Sequence, residues 1–222
     1  VVIDEFQSIF TDSKFKSDTE LQFVRSVQGI QKVCYVSATP MMKKYLDMLD
    51  EFKNLPYYEL DWEALEPSRV SKPILNVKSL VSVYTEVKPI IKSYLEGKFE
   101  HKYIKKEDGR VEKIESKEAV FYVNSVNNIT SIVKRSKLTP DQVNILVANT
   151  PDNVKKIQKS LGKKFNIGTV PLRGEPRKMF TFCTRTVYLG ADFYSDNARS
   201  FVVSDANIDT LAVDITLDLP QI

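Results

Sequence analysis

Cysteine, histidine and glycine are all scarce in this chain, and each scarcity removes a class of function. Two cysteines and one histidine among 222 residues make no disulfide framework, and Cys34, Cys183 and His101 have none of the spacings of a zinc site. The seven glycines nowhere form G-x-x-x-x-G-K-[ST], so a phosphate-binding loop is absent. No apolar run approaches the ~20 residues of a membrane span, and no amino-terminal stretch has the pattern of a secretory signal. An excess of one charge is missing too. With 32 basic against 29 acidic side chains the net charge is +3, so a nucleic-acid surface would have to be a local patch. There is no internal repeat and no low-complexity tract. Both cysteines lie inside apolar strand-like runs, which predicts buried thiols in an intracellular, soluble, cytoplasmic protein without membrane contact.

What is present is a globular composition. Hydrophobic residues make up 42% and charged residues 27%, enough to bury a core as one large or two small domains. Val1-Val2-Ile3 ends in Asp4-Glu5-Phe6-Gln7, which reads as a buried strand delivering two carboxylates to its carboxyl-terminal edge, where ligands of open α/β sheets bind. The competing reading of the dipeptide is a helix cap or a solvated turn. A polar loop containing Ser13, Ser17 and Asp18 leads to Leu21, Val24, Val27 and Gln28 at helical spacing. Residues 33–39 read as the next strand, ending in Ser37-Ala38-Thr39. Met41 to Phe52 repeat at helical intervals, and Tyr57 to Leu60 suggest a short strand. Ser37 and Thr39 can alternatively cap the helix that begins near Met41.

Residues 61–73, with Pro67 and Pro73, break periodicity as an interdomain linker does. Ile74 to Leu80 then read as a strand. Val83 to Leu95 form a helical stripe that Pro89 should kink or begin. Residues 99–118 alternate around Glu107-Asp108-Gly109, a hairpin-turn signal; Lys98 to Glu118 hold seven Lys or Arg and six acids, so a nucleic-acid contact, a strand-separating pin and a solvated decoration all remain open. Strand and helix alternate afterwards: strands at 119–125, 143–148, 165–170, 179–184 and 200–205, helices at 126–137 and 151–161. That beat predicts a parallel sheet with helices on both faces.

The order of the motifs carries a resemblance. Asp4-Glu5-Phe6-Gln7 followed by Ser37-Ala38-Thr39 resembles the magnesium-and-water motif and the coupling motif of superfamily 2 helicases, the DEAD/DEAH-like nucleic-acid-dependent ATPases. Val120 to Ser125 is similar to the strand-and-turn motif of their second lobe. Thr184-Arg185-Thr186-Val187-Tyr188-Leu189-Gly190-Ala191-Asp192 reproduces a Thr-x5-Gly-x-Asp spacing, with Arg185 and Tyr188 in place of the usual small residues. The resemblance spans nearly the whole chain. It implies two RecA-like α/β lobes of the phosphate-loop NTPase class: an incomplete first lobe at 1–60, the linker 61–73, and a second lobe at 74–222 with the hairpin 99–118 inserted. A start at Val1 on the acidic motif, without a phosphate loop, and an end where an arginine-rich motif is expected predict a fragment that is inactive alone.

The resemblance further implies an ATP-dependent helicase or translocase acting in replication or repair, with ATP and Mg²⁺ as cofactors. Asp4 would hold Mg²⁺, Glu5 would activate the attacking water, and Gln7, Ser37, Thr39, Gly190 and Asp192 would sense and relay nucleotide state. Asn124, Ser125 and Thr184 would contact nucleic-acid phosphates, DNA being favoured over RNA. The loop Pro171–Lys178 adds Arg173, Arg177 and Lys178 as sequence-independent cations, although a plain solvated turn reads equally well. Asn124 and Ser125 can also be simple helix caps. The four-residue variant Asp-Glu-Phe-Gln and the hairpin look similar to viral or phage replication helicases, including origin-binding-protein-like ones, which would work in the host cytoplasm. The alternative is a non-catalytic nucleic-acid-binding or scaffold module derived from such a lobe; Asp4 and Glu5 together argue against it. Oligomeric state is not legible.

Overall fold

The computed structural model describes residues 1–7, 13–39, 41, 43–60, 82–105, 109–188, 191, 193–195, 197–205, 208, 211–214, 218–219 and 222. The chain divides into two compact units, Val1–Val77 with Asp214–Gln221, and Lys78–Val213 with Ile222. The predicted linker 61–73, the strand at 74–80, Gly190 and Asp192 lie outside the described residues.

Among the described residues unit 1 runs strand–helix–strand–helix. β1 (Val2–Ile3), α1 (Ser13–Gln28), β2 (Cys34–Tyr35) and α2 (Lys43–Leu46) follow in order. β1 and β2 pair in parallel with Val2 opposite Cys34 and Ile3 opposite Tyr35. Main-chain bonds prolong the pairing, from Val36 N–H to the Ile3 carbonyl (2.8 Å) and from Phe6 N–H to the Val36 carbonyl (3.3 Å). Alternation along a strand sends Ile3 and Tyr35 onto a small core of Phe6, Val24, Met41, Leu46 and Phe52. Val2, Cys34 and Val36 take the other side, where Val2 is 70% and Val36 42% exposed. The expectation of a fully buried strand and of a buried Cys34 is therefore corrected. Only one face of this pair is covered among the described residues, and Cys34 is exposed.

Two local expectations also change. α1 already begins at Ser13, because no Gly or Pro interrupts the segment from Ser13 to Gln28 and helical hydrogen bonding propagates through its polar residues. Residues 57–60 form no strand. Tyr57 donates its hydroxyl to the Met41 carbonyl (3.1 Å), while Tyr58 and Leu60 stand 87% and 75% exposed.

Unit 2 holds the larger core. It comprises α3 (Val83–Leu95), β3 (Glu100–Lys105), β4 (Val111–Ser116), β5 (Glu118–Val123), α4 (Val126–Arg135), β6 (Val143–Leu146), α5 (Pro151–Leu161), β7 (Phe180–Cys183), a 3₁₀ turn (Arg185–Val187) and β8 (Ala198–Val203). Four strands form one sheet in the order β6-β7-β5-β8, and every pairing is parallel. Phe121, Phe180 and Phe182 point to one face, where Val87, Ile91 and Tyr94 of α3, Ile129, Ile132 and Val133 of α4 and Ile157 of α5 cover them. Phe121 stacks between Phe182 (5.0 Å) and Phe201 (5.1 Å). Val120, Tyr122, Leu146 and Cys183 point to the opposite face, under Val170, Val187, Tyr188 and Phe193.

Helices on both faces were expected; among the described residues α3, α4 and α5 share one face and irregular chain seals the other. The reason lies in the connection from β7 to β8, which crosses that second face as the 3₁₀ turn and an aromatic-rich coil. Pro89 sits inside a continuous α3 that instead starts at Ser82, whose hydroxyl caps Thr85 N–H. Residues 165–170 are extended but form no strand. Gly168 N–H reaches the Ile145 carbonyl (2.9 Å), and then the Asn144 side chain takes over, donating to the Thr169 carbonyl (3.0 Å). A Cβ at position 168 would fall 1.8 Å from Asn144 Oδ1, so glycine is required for this approach.

β3 and β4 form the expected hairpin, a two-stranded antiparallel sheet of their own, and Gly109 in its turn has φ +81°. No described helix is long and apolar enough to cross a membrane.

Candidate functional site

In unit 1 the chemistry sits where β1 and β2 end. Asp4 and Glu5 are both exposed, and Glu5 adopts φ +53°, the left-handed region that a non-glycine residue enters only at a cost. Glu5 N–H donates to Asp4 Oδ1 (2.8 Å), which fixes the bend that turns the two carboxylates outward. Gln7 Nε2 donates to Glu5 Oε2, so Gln7 orients the Glu5 carboxylate. Gln7 itself is 1% exposed, and its Oε1 has no hydrogen-bond partner among the described residues.

The end of β2 lies alongside. Ser37 Oγ donates to the Thr39 carbonyl (2.8 Å) and accepts from Thr39 N–H (3.0 Å), closing a tight turn rather than capping α2, which begins at Lys43. Thr39 is 1% exposed and its Oγ1 is likewise without a partner among the described residues. Each buried unmade hydrogen bond costs about 1–3 kcal/mol. Two such atoms, an amide oxygen and a hydroxyl, lie buried in the turns that follow β1 and β2.

This donor set fits Mg²⁺ and a polyphosphate. Carboxylate oxygens are the hard ligands that Mg²⁺ selects, and the ion normally takes only one or two of them, together with phosphate oxygens and water. Asp4, exposed at the end of β1, is the carboxylate that would hold such an ion.

In unit 2 the carboxyl-terminal ends of β5 and β7 bring Asn124, Ser125 and Thr184 together. Asn124 Oδ1 accepts from Arg185 N–H (3.1 Å), tying the two strand ends. Thr184 N–H bonds to the Leu146 carbonyl (3.1 Å), and its hydroxyl lies 3.3 Å from that of Thr186. Ser125 caps α4 by accepting from Asn128 N–H (3.2 Å). Sequence reasoning passed over Thr150, which does the same for α5 through Asn153 N–H (3.2 Å). Thr150-Pro151-Asp152 was a readable signal of a cap followed by proline at the first helical position. Both helices thus start at one sheet edge, with their positive ends toward the same side as Thr184. Arg185, read only as a departure from the motif, donates from Nη2 to the Ala212 carbonyl (3.3 Å).

Neither the family models, nor the curated proteins, nor the solved structures contain a match to this chain.

The three cations of the 171–178 loop do not join Thr184. Lys178 precedes β7 and donates to the carbonyls of Pro140 (2.7 Å) and Val143 (3.0 Å), bracing the amino-terminal edge of the sheet. Arg177, with 12% of its side chain exposed, faces the Glu118 carboxylate at 3.9 Å. Arg173 is exposed and lies over the Tyr194 ring at 5.6 Å. Burial pushes the Cys183 thiol and the Tyr122 hydroxyl well above their ordinary ranges, so neither ionises near neutral pH.

Proposed function

We propose that the chain supplies parts of two RecA-like lobes to an ATP-dependent nucleic-acid helicase or translocase. One observation carries this reading: the parallel pairing of β1 with β2 sets Asp4, Glu5 and Gln7 beside Ser37 and Thr39 at a single sheet edge. Those residue types match a phosphoryl-transfer site, in which positioning and electrostatics supply most of the catalysis. Asp4 holds Mg²⁺. Glu5, oriented by Gln7, accepts the proton of the attacking water, and the Thr39 hydroxyl donates to a phosphate oxygen. In unit 2 the strand order, and the edge shared by Asn124, Ser125 and Thr184, suit phosphates of a nucleic-acid backbone held by helix amino termini and hydroxyls.

Nucleic-acid-stimulated ATPase activity of the full-length protein tests this, with wild type beside Glu5→Gln and with single-stranded DNA and RNA supplied separately. Loss of the general base should lower stimulated turnover by roughly 10²- to 10⁴-fold and leave nucleotide affinity in place. Equal turnover in the two proteins, or none in either, overturns the reading.

A further inference from the structure

The hairpin and its root carry a second set of features at the opposite edge of the unit 2 sheet from Thr184. Glu118 opens β5, so the β3–β4 hairpin joins the sheet at its amino-terminal edge. Its register places Tyr103 opposite Lys113, His101 opposite Glu115 and Lys105 opposite Val111. Directly opposed residues share a face. Ile114 and Ser116, half-buried and buried, mark the inward side, while His101, Val111, Lys113 and Glu115 are exposed on the outward side. Tyr103 stands there 69% exposed and Val111 64%.

The root is bolted to a second aromatic–cation pair. Ser116 Oγ donates to the Asn197 carbonyl (2.8 Å), and Ser195 Oγ donates to Glu118 Oε2 (2.8 Å), the same carboxylate that Arg177 faces. The adjoining Tyr194 is 47% exposed beneath the exposed Arg173 guanidinium. Arg177 and Glu118 thus position the root, and Arg173 remains as the exposed cation of the loop. Two part-exposed tyrosines, each next to a positive charge, thus lie on the hairpin and at its root, Tyr103 with its ring open and Tyr194 with Arg173 over one face.

We propose that this hairpin and its root form a contact surface for single-stranded nucleic acid, with Tyr103 and Tyr194 stacking on unpaired bases while Lys113 and Arg173 meet the backbone. Base stacking tolerates any sequence, and the sparse charge makes the rings rather than the cations the main source of affinity. The surface goes beyond the phosphate contacts proposed for Asn124, Ser125 and Thr184. It rests on the nucleic-acid half of the proposed function and is independent of hydrolysis.

Fluorescence anisotropy of the full chain with labelled single-stranded dT and rU oligonucleotides tests it, in wild type, Tyr103→Ala, Tyr103→Trp, Tyr194→Ala and Lys113→Gln, each checked for native circular dichroism. Tyr103→Ala and Tyr194→Ala should each weaken binding by about five- to a hundredfold. Tyr103→Trp should retain it, and Lys113→Gln should flatten the salt dependence. Wild-type affinity in both alanine variants overturns the proposal, as does loss in Tyr103→Trp equal to that in Tyr103→Ala. No oligonucleotide binding by folded wild type overturns it too, and self-association that depends on Tyr103 would then assign the face to protein. The ATPase measurement with Glu5→Gln reads the motor reading separately, so either can fail without the other.

Discussion

In unit 2 the strands β6 and β7 are buried at every position, whereas in unit 1 β1 and β2 each pair an exposed residue with a half-buried one. Both sheets are parallel, and parallel sheets are stable where both faces are covered. Unit 2 meets that condition with three helices on one side and aromatic coil on the other. Among the described residues unit 1 covers one side of a two-residue pairing, yet it carries the adjacent carboxylates Asp4 and Glu5 at the end of β1. The contrast is one of packing: the well-packed sheet fixes Asn124 and Thr184, and on the proposed function the thin one holds the groups that would meet a ligand. Binding sites are commonly drawn from the less stable parts of a structure.

The contrast breaks if the two sheets respond alike to truncation. Phe182→Ala removes a ring that is 0% exposed and stacked on Phe121, and should cost about 3–5 kcal/mol. Val2→Ala trims a side chain already 70% exposed and should change stability by less than about 0.5 kcal/mol. Urea unfolding followed by circular dichroism compares them. A cost for Val2→Ala approaching that of Phe182→Ala would mean that the outer face of β1 is covered after all.

A smaller effect sharpens the functional side of the comparison. Thr39→Val keeps the shape of the side chain and removes the buried hydroxyl that has no partner among the described residues. Stability should hold or rise by up to ~1 kcal/mol, because no hydrogen bond to a described residue is lost and a desolvated donor disappears. Stimulated ATPase turnover should nevertheless fall about tenfold, the equivalent of one hydrogen bond made only in the working complex. Destabilisation with unchanged turnover would show that Thr39 serves packing alone.

Legibility in the sequence followed the same division. In unit 2, where local pattern and burial agree, β5, α4, β6, α5 and β7 fall close to where period and capping place them, and the Glu107-Asp108-Gly109 signal sits at a real hairpin. The exceptions have particular causes. Residues 165–170 look like a strand in composition, but Asn144 replaces main-chain pairing with a side-chain bond. The second face, free of α-helix among the described residues, follows from the 3₁₀ turn and coil after Thr184, which no periodicity announces. In unit 1 the apolar letters of Val1-Val2-Ile3 and Cys34-Tyr35-Val36 say that a strand forms, not whether a second layer covers it. At the site, residue types were readable, whereas the orientation of Glu5 by Gln7 and the diversion of Lys178 onto carbonyls depend on chain folding that spacing alone does not encode.

The finest probe of the contrast is the pair of thiols, one in each unit. Cys34 is exposed. Cys183 is 0% exposed, donates from Sγ to the Phe121 carbonyl (3.5 Å), and has its thiol raised by burial, so its reactive thiolate is scarce at neutral pH. Native protein should therefore label at Cys34 within the mixing time of a maleimide assay, while Cys183 waits for unit 2 to open. In Phe182→Ala the Cys183 rate should rise in step with the lost stability, because with labelling slower than reclosing it follows the population of the open form, and the Cys34 rate should not move. Co-variation of the two rates would join the units into one cooperative body; divergence would show that the thin sheet with the carboxylates and the packed sheet with Thr184 open independently.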